Sequence, residues 1–587
     1  MNFKSTKYNL FNLFGFNKFI LILSPKEKKQ LLLVFFLMII ASFLEILSLS
    51  SIIPLINLFL NQDTVNNNFF SLIINNLQKF FVFKYENVLL LIVFFIFVIK
   101  GIFLFFYNFY ATRTILSIKA SISEKLFKYY IKKEYLFHLK NNSALLIRNI
   151  ESETNILINS YAAPFLSFSL ALLTSFFILI LLFYYSFLST LIIFIVFTFF
   201  GIFLNFFVKN ELKIIGHKRQ VYSFESLKNL QQSLGSIKEI KIFKKQKFFL
   251  EKFINYNFSM LKLGLKRSVI GIIPKIIYEY IFIAFIIISI FIANKTGYPL
   301  NTLIATLMVY AIASFRIMPA LNTLSTEYQR IEFGLPALNL IFNELKNENV
   351  SKELNYNNEA SRFEFNNEIE LKNISFSYPD KNKIILNNLS LIIKKNTSIG
   401  ILGDNASGKS TLIDLICGFL EPNKGEILVD QKNISENIDG WQDLIGYVPQ
   451  NTYLIDNSVK SNIAFGINDN AVKLEKIKEL MQLTGLSENL SLETNVGENG
   501  KNISGGQKQK IGIARALYKN PDLVILDEAN SAMDIDSEKN LNDIICDNLS
   551  EKTLLIISHR LNVLKYCDIV YKLENGSLTL IDIKNIT

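Results

Sequence analysis

Six long apolar segments occupy most of the first 325 residues and limit what this chain can fold into. They cover residues 31–60, 88–110, 159–184, 186–208, 269–294 and 302–325. Each supplies the roughly 20 apolar residues that a helix needs to cross the hydrocarbon core of a bilayer. The sequence therefore predicts six membrane-crossing helices, of which the third and fourth form a hairpin around a very short turn at residues 185–189.

Positive charge lies mainly in two long connections between these segments, residues 111–158 and 209–268. Two other connections are short and nearly uncharged. Because Lys-rich loops stay on the cytoplasmic side, we expect a multi-pass protein of the cytoplasmic (inner) membrane with both termini in the cytoplasm. The long connections keep a helical period with few breakers, which predicts helices that continue beyond the membrane. This distribution explains the net charge of +11 without a nucleic-acid partner.

Composition divides the chain into four predicted parts. Residues 1–28 form a cytoplasmic N-terminus with a short interfacial helix, 29–330 the transmembrane domain, 331–365 a linker, and 366–587 a soluble α/β domain. In the first outer loop, apolar residues recur at helical spacing between 69 and 81. This pattern predicts an amphipathic helix on the outer membrane face, or alternatively a helix that only packs over the loops.

A glycine-rich loop in the soluble domain fits the pattern GxxxxGK[ST] at residues 403–410. Residues 398–402 read as a buried strand before it, and apolar residues at helical spacing follow it. Such a loop directs backbone N–H groups and a helix N-terminus at phosphate, its Lys reaches the β- and γ-phosphates, and its Ser hydroxyl ligates Mg²⁺. The predicted ATP-binding residues here are Gly403, Asp404, Asn405, Ala406, Ser407, Gly408, Lys409, Ser410 and Thr411.

Two carboxylates end a second apolar strand, at residues 522–528. Because side chains alternate along a strand, Asp527 and Glu528 are expected on opposite sides. The sequence predicts that Asp527 ligates Mg²⁺ and that Glu528 acts on the water that attacks the γ-phosphate.

A second anion site is predicted where Ser504, Gly505, Gly506 and Gln507 precede a helix. One domain needs one such site to hold one ATP. The second site is useful if it caps the ATP held by another copy of the chain, which predicts a homodimer.

The order of these motifs resembles the nucleotide-binding domain of ABC transporters over about the last 220 residues. The resemblance implies ATP and Mg²⁺ as cofactors and a hydrolytically competent ATPase. It assigns Tyr378 to adenine stacking, Gln450 to Mg²⁺ and catalysis, Asp534 to the nucleotide site, and His559 to the γ-phosphate. Six helices followed by this domain resemble a half-transporter of bacterial ABC exporters, with an α-helical transmembrane domain before an α/β P-loop domain. Short coupling helices are then expected near residues 136–145 and 219–227.

Three cations lie inside the apolar segments: Lys100, Lys275 and Arg316. Charged residues at such depth face the interior of a helix bundle, so a basic interior favours an anionic substrate. The alternative is internal ion pairing, for which Glu45 in the first segment is available.

The surrounding residues resemble the bacterial PglK-type flippases for lipid-linked oligosaccharides. The resemblance rests on Ser42-Phe-Leu-Glu45, the Pro274-Lys275 pair and Phe315-Arg316-Ile-Met-Pro319. It implies a polyprenyl-pyrophosphate oligosaccharide as cargo, membrane lipids as neighbours, and Lys100, Lys275 and Arg316 as headgroup ligands. Export of another lipid, a drug or a peptide stays open, as does an ATP-gated channel or sensor, although Glu528 and His559 favour a pump.

Overall fold

The computed structural model describes residues 15–52, 85–185, 187–296, 300–348, 363–379, 383–529 and 551–581. The chain divides into two units. Unit 1 is Met1–Lys133 with His138–Glu353, and unit 2 is Glu134–Phe137 with Leu354–Thr587. The helix predicted at residues 69–81 lies outside the described residues.

Residues up to 348 are helical almost throughout. The helices are α1 Phe16–Ile22, α2 Pro25–Ser50, α3 Tyr85–Ile131, α4 Tyr135–Lys140, α5 Ser143–Arg148, α6 Thr154–Leu157, α7 Ala163–Tyr185, α8 Phe187–Gly235, α9 Ile237–Ile242, α10 Gln246–Thr296 and α11 Leu300–Glu348. Within the described residues, five helices are long and apolar enough to cross a membrane: Pro25–Ser50, Asn87–Ile131, Ser143–Tyr184, Thr190–Gly235 and Gln246–Ile288. The predicted sixth segment, 302–325, is helical as part of α11 but is not among these five.

Four helices continue well beyond the length that a membrane requires, and for α3, α8 and α10 the sequence predicts this continuation. Helices α3, α8, α10 and α11 have 47, 49, 51 and 49 residues. The predicted hairpin is confirmed too, since α7 ends at Tyr185 and α8 begins at Phe187. The N-terminal helix is confirmed as α1, and α2 begins with a capping box between Ser24 and Glu27.

One prediction for the extensions is wrong. The coupling helix expected at 219–227 is part of the uninterrupted α8, and the short helix lies later, at Ile237–Ile242. Gly216 lies within α8 where α11 packs so closely that a Cβ here would lie 2.7 Å from the main-chain oxygen of Phe333. The linker expected from residue 331 begins as helix up to Glu348, since Ile331, Leu338 and Ile341 are buried along it. The short helix expected near 136–145 is confirmed as α4, with α5 starting after Asn142.

Unit 2 is built on two sheets. Its strands are β1 Glu368–Phe376, β2 Leu386–Lys394, β3 Ser398–Leu402, β4 Lys424–Val429, β5 Lys432–Asn433, β6 Ile445–Val448, β7 Leu523–Asp527, β8 Thr553–Ile557, β9 Ile569–Glu574 and β10 Ser577–Ile581. Its helices are α12 Lys409–Ile416, α13 Ile438–Gln442, α14 Val459–Ile463, α15 Leu474–Leu483, α16 Gly505–Tyr518 and α17 Leu561–Leu564. One sheet has the order β2-β1-β4-β5 and the other β10-β9-β3-β8-β7-β6.

The six-stranded sheet fixes where the motifs meet. Strands β3, β8, β7 and β6 are consecutive neighbours and run parallel, with Ile401 opposite Ile557, Asp527 opposite Ile557, and Val448 opposite Leu526. Strands β7 and β8 are buried along nearly their whole length, as in parallel sheets covered on both faces. The carboxyl ends of parallel strands lie at one edge, so the segments that follow these four strands converge there.

Candidate functional site

The carboxyl edge of the six-stranded sheet gathers the predicted catalytic groups. Residues 403–410 follow β3, His559 follows β8, Asp527 ends β7 with Glu528 after it, and Gln450 follows β6. The four segments are far apart in sequence, and the strand order alone brings them together.

The loop after β3 has the backbone of a phosphate cradle. Gly408 has a φ of +108°, which a side chain would strain, and a Cβ at Gly403 would lie 2.7 Å from Ser407 Oγ and 2.9 Å from the main-chain oxygen of Leu573. Ser407 Oγ is buried and has no hydrogen-bond partner within the described residues. Helix α12 begins at Lys409, so its N–H groups face the loop. A curled backbone, an unsatisfied hydroxyl and a helix N-terminus together fit a nucleotide phosphate.

Lys409 is held inside this loop rather than extended into solvent. Its side chain is 8% exposed, and Nζ donates to the main-chain oxygens of Gly403 and, at 3.2 Å, Asp404. The ammonium also lies 3.7 Å from Glu528 Oε1. Positive charge is therefore available where the loop would receive phosphate oxygens.

The other predicted residues of this loop are mostly open to solvent. Asp404, Asn405, Ala406 and Ser410 are exposed, and Thr411 is buried. Tyr378 is half-buried, with its hydroxyl 3.3 Å from Thr411 Oγ1. The ring predicted to stack on adenine thus lies beside the helix that follows the phosphate loop.

Glu528 lies among three polar partners. Gln450 Nε2 donates to its Oε2 at 2.7 Å, His559 Nδ1 lies 3.6 Å from the same oxygen, and Lys409 approaches the other oxygen. Strand alternation is not what orients Glu528, because β7 ends at Asp527 and Glu528 adopts a left-handed φ of 48°. Its N–H donates to the main-chain oxygen of Ile557, which fixes this turn. A left-handed non-glycine residue at a site of this kind is a strained position that its neighbours hold in place.

Asp527 is half-buried near two other carboxylates, Glu528 and Asp414. Burial raises its pKa, and the neighbouring Glu528 raises it further. Burial, with the charge of Asp527, also raises the pKa of Asp414 to about 6. Two carboxylates that repel each other in a low-dielectric site gain from a divalent cation, so the donor set fits Mg²⁺.

No group of three or more His, Cys, Asp or Glu side chains arranged for a metal occurs in the described part of the chain. A magnesium ion here would therefore take few protein ligands, namely Ser410, Gln450 and Asp527 as predicted, and phosphate oxygens for the rest.

The second predicted anion site begins helix α16. Ser504 caps this helix: its Oγ accepts from the N–H of Gln507 at 3.2 Å, while Gln507 Oε1 accepts from the N–H of Ser504 at 3.0 Å. Ser504 and Gly505 are exposed. The capping box keeps the start of the helix rigid and open, with Gly505 and Gly506 adding no side chain that would cover it. Asp534 lies outside the described residues.

Gln509 and Arg515 on α16 were missed by sequence reasoning. Gln509 Nε2 donates to the main-chain oxygen of Gln450 at 2.6 Å, and its Oε1 accepts from Thr452 Oγ1 at 3.2 Å. Arg515 donates to the main-chain oxygens of Asn462 at 2.8 Å and Tyr453 at 2.9 Å. These bonds tie the helix of the second anion site to the segment that carries Gln450.

The three cations predicted to bind substrate lie in different surroundings. Lys100 Nζ lies 2.6 Å from Glu45 Oε2 and donates to Ser48 Oγ at 3.0 Å, so internal ion pairing is present for this residue. Lys275 follows Pro274 within α10 and is exposed. Arg316 lies on α11, but its side chain is outside the described residues.

Comparison with known families matches the two parts of the chain separately. The model of the ABC transporter transmembrane region matches residues 31–327, and the model of the ABC transporter domain matches residues 386–531. The first match alone covers just over half of the chain.

Two curated relatives are similar over most of their length. The chain is 23% identical over 488 residues to an ATP-dependent lipid A-core flippase of Ralstonia nicotianae, which covers 82% of each protein. It is 29% identical over 409 residues to a protein of the same name from Yersinia pestis, covering 68% of this chain and 69% of that protein.

Among solved structures, a bacterial Atm1-family ABC exporter with ATP bound is similar with a TM-score of 0.78 and 19% identity. The similarity covers 95% of this chain and 96% of that one, and it shows that the fold is that of an ABC exporter.

Proposed function

This chain belongs to the ABC transporter family, and on that premise we propose that it flips an anionic glycolipid, a polyprenyl-pyrophosphate oligosaccharide, across the cytoplasmic membrane. It is an ATPase whose hydrolysis drives transport, in a multi-pass membrane protein. The observation that carries the ATPase is the meeting of Lys409, Glu528, Gln450 and His559 at one sheet edge.

The proposed function gives each group a step in hydrolysis. Backbone N–H groups of residues 403–410 and the Lys409 ammonium bind the phosphates and stabilise the charge that develops on them. Glu528 accepts a proton from the attacking water and orients it, and the Gln450 amide fixes the carboxylate in place. His559, 52% exposed beside Glu528, is free to contact the γ-phosphate. Mg²⁺, when bound, neutralises phosphate charge and polarises the bond that breaks.

Two copies complete the proposed site. Each chain has one phosphate loop and one capped helix at Ser504, so a head-to-tail pair of copies encloses two ATP molecules in a self-complementary two-fold arrangement. The half-transporter organisation supports this proposal, since one chain has one transmembrane region and one ATPase domain.

The choice of cargo rests on similarity and on charge. Relatives that match most of this chain are named ATP-dependent lipid A-core flippases, and the sequence around Glu45, Pro274 and Arg316 resembles the flippases for lipid-linked oligosaccharides. A pyrophosphate loses its hydration when it crosses the membrane, which costs many kcal/mol unless fixed cations replace the water. Lys275 and Arg316 are proposed to bind the pyrophosphate, and Lys100 to contribute when Glu45 releases it.

Flipping in proteoliposomes tests this function. The purified protein is reconstituted with a labelled polyprenyl-pyrophosphate oligosaccharide, and the fraction of label accessible to an enzyme outside the vesicle is followed with ATP. We expect ATP-dependent movement of the label, its loss in Glu528→Gln, and its loss in Arg316→Ala with basal ATPase retained.

Parallel vesicles separate the alternatives. One set contains a lipid A-core glycolipid and another a cationic drug. Movement of lipid A-core or of the drug, with none of the oligosaccharide lipid, contradicts the proposed cargo and identifies the exporter alternatives. Ion flux that needs ATP binding but not hydrolysis would identify the channel alternative.

A further inference from the structure

A cavity of about 900 Å³ lies within unit 1 among α7, α8, α10 and α11. Its walls are mainly aromatic and aliphatic, and include Phe168, Leu172 and Phe176 from α7 and Phe194 and Phe206 from α8. Its volume lies within the range of sites that bind small molecules, roughly 300–1,000 Å³. The walls alone fit any apolar chain, so the polar groups of the cavity determine the class of ligand.

Two polar atoms in the lining lack hydrogen bonds. Ser175 Oγ and Asn205 Oδ1 are buried and have no hydrogen-bond partner within the described residues, and the Ser175 residue is 7% exposed. A buried polar atom without a partner costs about 1–3 kcal/mol, so such atoms are normally satisfied by protein, water or ligand. Asn205 interrupts the apolar run of α8, where a buried polar side chain without a partner is costly.

Positive charge is concentrated one turn beyond Asn205. Lys209 also lines the cavity, and its Nζ lies 3.8 Å from Glu332 Oε1, while Lys213 Nζ lies 3.7 Å from Glu332 Oε2. Two ammonium groups that share one carboxylate leave one net positive charge. This group lies where the apolar part of α8 ends and its Lys-rich extension begins.

We propose that this cavity binds the anionic lipid before transport, with the apolar chain among the aromatic walls and the phosphate group at Lys209 and Lys213. Hydroxyl or amide donors of the lipid's polar part would satisfy Ser175 and Asn205. The inference rests on the proposed function and names residues other than Lys100, Lys275 and Arg316. The net positive charge at Lys209, Lys213 and Glu332 favours an anionic lipid over an apolar helix of a second copy.

Direct lipid binding tests the site. Full-length protein in nanodiscs of zwitterionic lipid is titrated with radiolabelled polyprenyl pyrophosphate, and separately with the neutral polyprenol of the same length. We expect Lys209→Gln to weaken binding of the pyrophosphate lipid about tenfold, the scale of one charge-assisted hydrogen bond, and to leave polyprenol binding unchanged. Asn205→Leu should weaken it about threefold.

Lys266→Gln is the matched control, because Lys266 forms an exposed ion pair with Glu211 and does not line the cavity. Basal ATPase and thermal unfolding are measured for every variant. If Lys209→Gln fails to fold, binding of polyprenyl pyrophosphate to Asn205→Leu tests the site instead. This variant is expected to fold, since Leu is similar in size to Asn and suits an apolar helix. Wild-type affinity in both cavity variants overturns the site.

A cysteine probe tests the other occupant. Leu179→Cys places a thiol in the lining, and lipid should protect it from maleimide. A cross-link from this thiol to a second copy, with no protection by lipid, overturns the proposal. A different outcome would contradict the proposed function alone: the lipid binds as expected, but no glycolipid is flipped. Conversely, flipping at the wild-type rate in both cavity variants refutes the cavity alone.

Discussion

Two Lys–Glu pairs, one in each unit, are buried to a similar degree but differ in geometry. Lys409 and Glu528 have side chains 8% and 12% exposed and lie 3.7 Å apart, whereas Lys100 and Glu45 have side chains 5% and 12% exposed and lie 2.6 Å apart. Around Glu528, Gln450 and His559 are also in reach. The longer contact leaves both charges able to exchange partners, which a site for phosphate and water requires. The shorter contact neutralises a charge within the membrane, where an uncompensated ion is costly.

The largest effect is expected from breaking the first pair with Glu528→Gln. The amide keeps the shape of the carboxylate but cannot accept a proton from water, so steady-state hydrolysis should fall by about 10²-fold or more. ATP should still bind, because the phosphate loop is unchanged. Phosphate release and nucleotide binding on the purified protein measure both quantities.

Glu426→Gln is the control, since Glu426 is exposed on β4. Turnover in Glu528→Gln close to that of Glu426→Gln would contradict the assignment of the catalytic base.

Breaking the second pair should affect folding before transport. Lys100→Ala leaves Glu45 buried without its counter-charge, a loss of about 3–5 kcal/mol for buried pairs. Adding Glu45→Gln should recover most of that loss, because the remaining amide is neutral. Thermal unfolding and yield of the single and double variants measure the coupling.

Independent, additive losses in that cycle would show that the pair is not structural. If the double variant folds and hydrolyses ATP but no longer flips the glycolipid, Lys100 also binds cargo, as the sequence predicts.

Sequence reasoning located the first pair through motifs and could not fix the second. Short local motifs identify Lys409, Gln450, Glu528 and His559, because the chemistry of each motif depends on residues that are neighbours in the sequence. Glu45 was only one possible partner for three cations, since helical periodicity does not show which helices adjoin. The bond from Gln509 to Gln450 spans 59 positions and follows no period, so it was missed.

Fold boundaries failed for a related reason. The apolar segments predicted helices and the hairpin correctly, because length and turn residues are local signals. The coupling helix near 219–227 was placed by the family resemblance alone, and the structure has a short helix at Ile237–Ile242, after an α8 that is uninterrupted to Gly235. A resemblance gives the order of the elements but not the residue at which a helix ends.

A third prediction extends the comparison to the proposed dimer. Ser504→Arg places a bulky cation where the capped helix would meet the partner's nucleotide. If each active site needs both copies, a mixture with equal amounts of wild-type and variant chains should retain about a quarter of the activity, since only wild-type pairs work. Differently tagged chains, mixed before reconstitution, allow the ATPase rate to be followed against the variant fraction. A decline in simple proportion to that fraction would mean that the sites are independent.

The smallest effect is expected at Gln509, which contacts neither charge of the first pair. Its Nε2 holds the main-chain oxygen of Gln450, and Gln450 in turn holds Glu528, so Gln509 acts as a positioning residue. Gln509→Ala removes this bond and the one to Thr452, and the net worth of a hydrogen bond, about 1 kcal/mol, predicts roughly threefold to tenfold lower kcat. KM for ATP should change little, because the phosphate loop is not touched.

Two further variants distinguish positioning from general packing. Gln509→Glu keeps an acceptor for Thr452 but loses the donor to Gln450, so its kcat should fall as in Gln509→Ala. Thr452→Val removes only the hydroxyl bond and should remain near wild type. If Thr452→Val lowers kcat as much as Gln509→Glu does, or if KM rises with kcat unchanged, the bond to Gln450 does not position the catalytic carboxylate. The effect at Gln509 would then reflect packing of α16 alone.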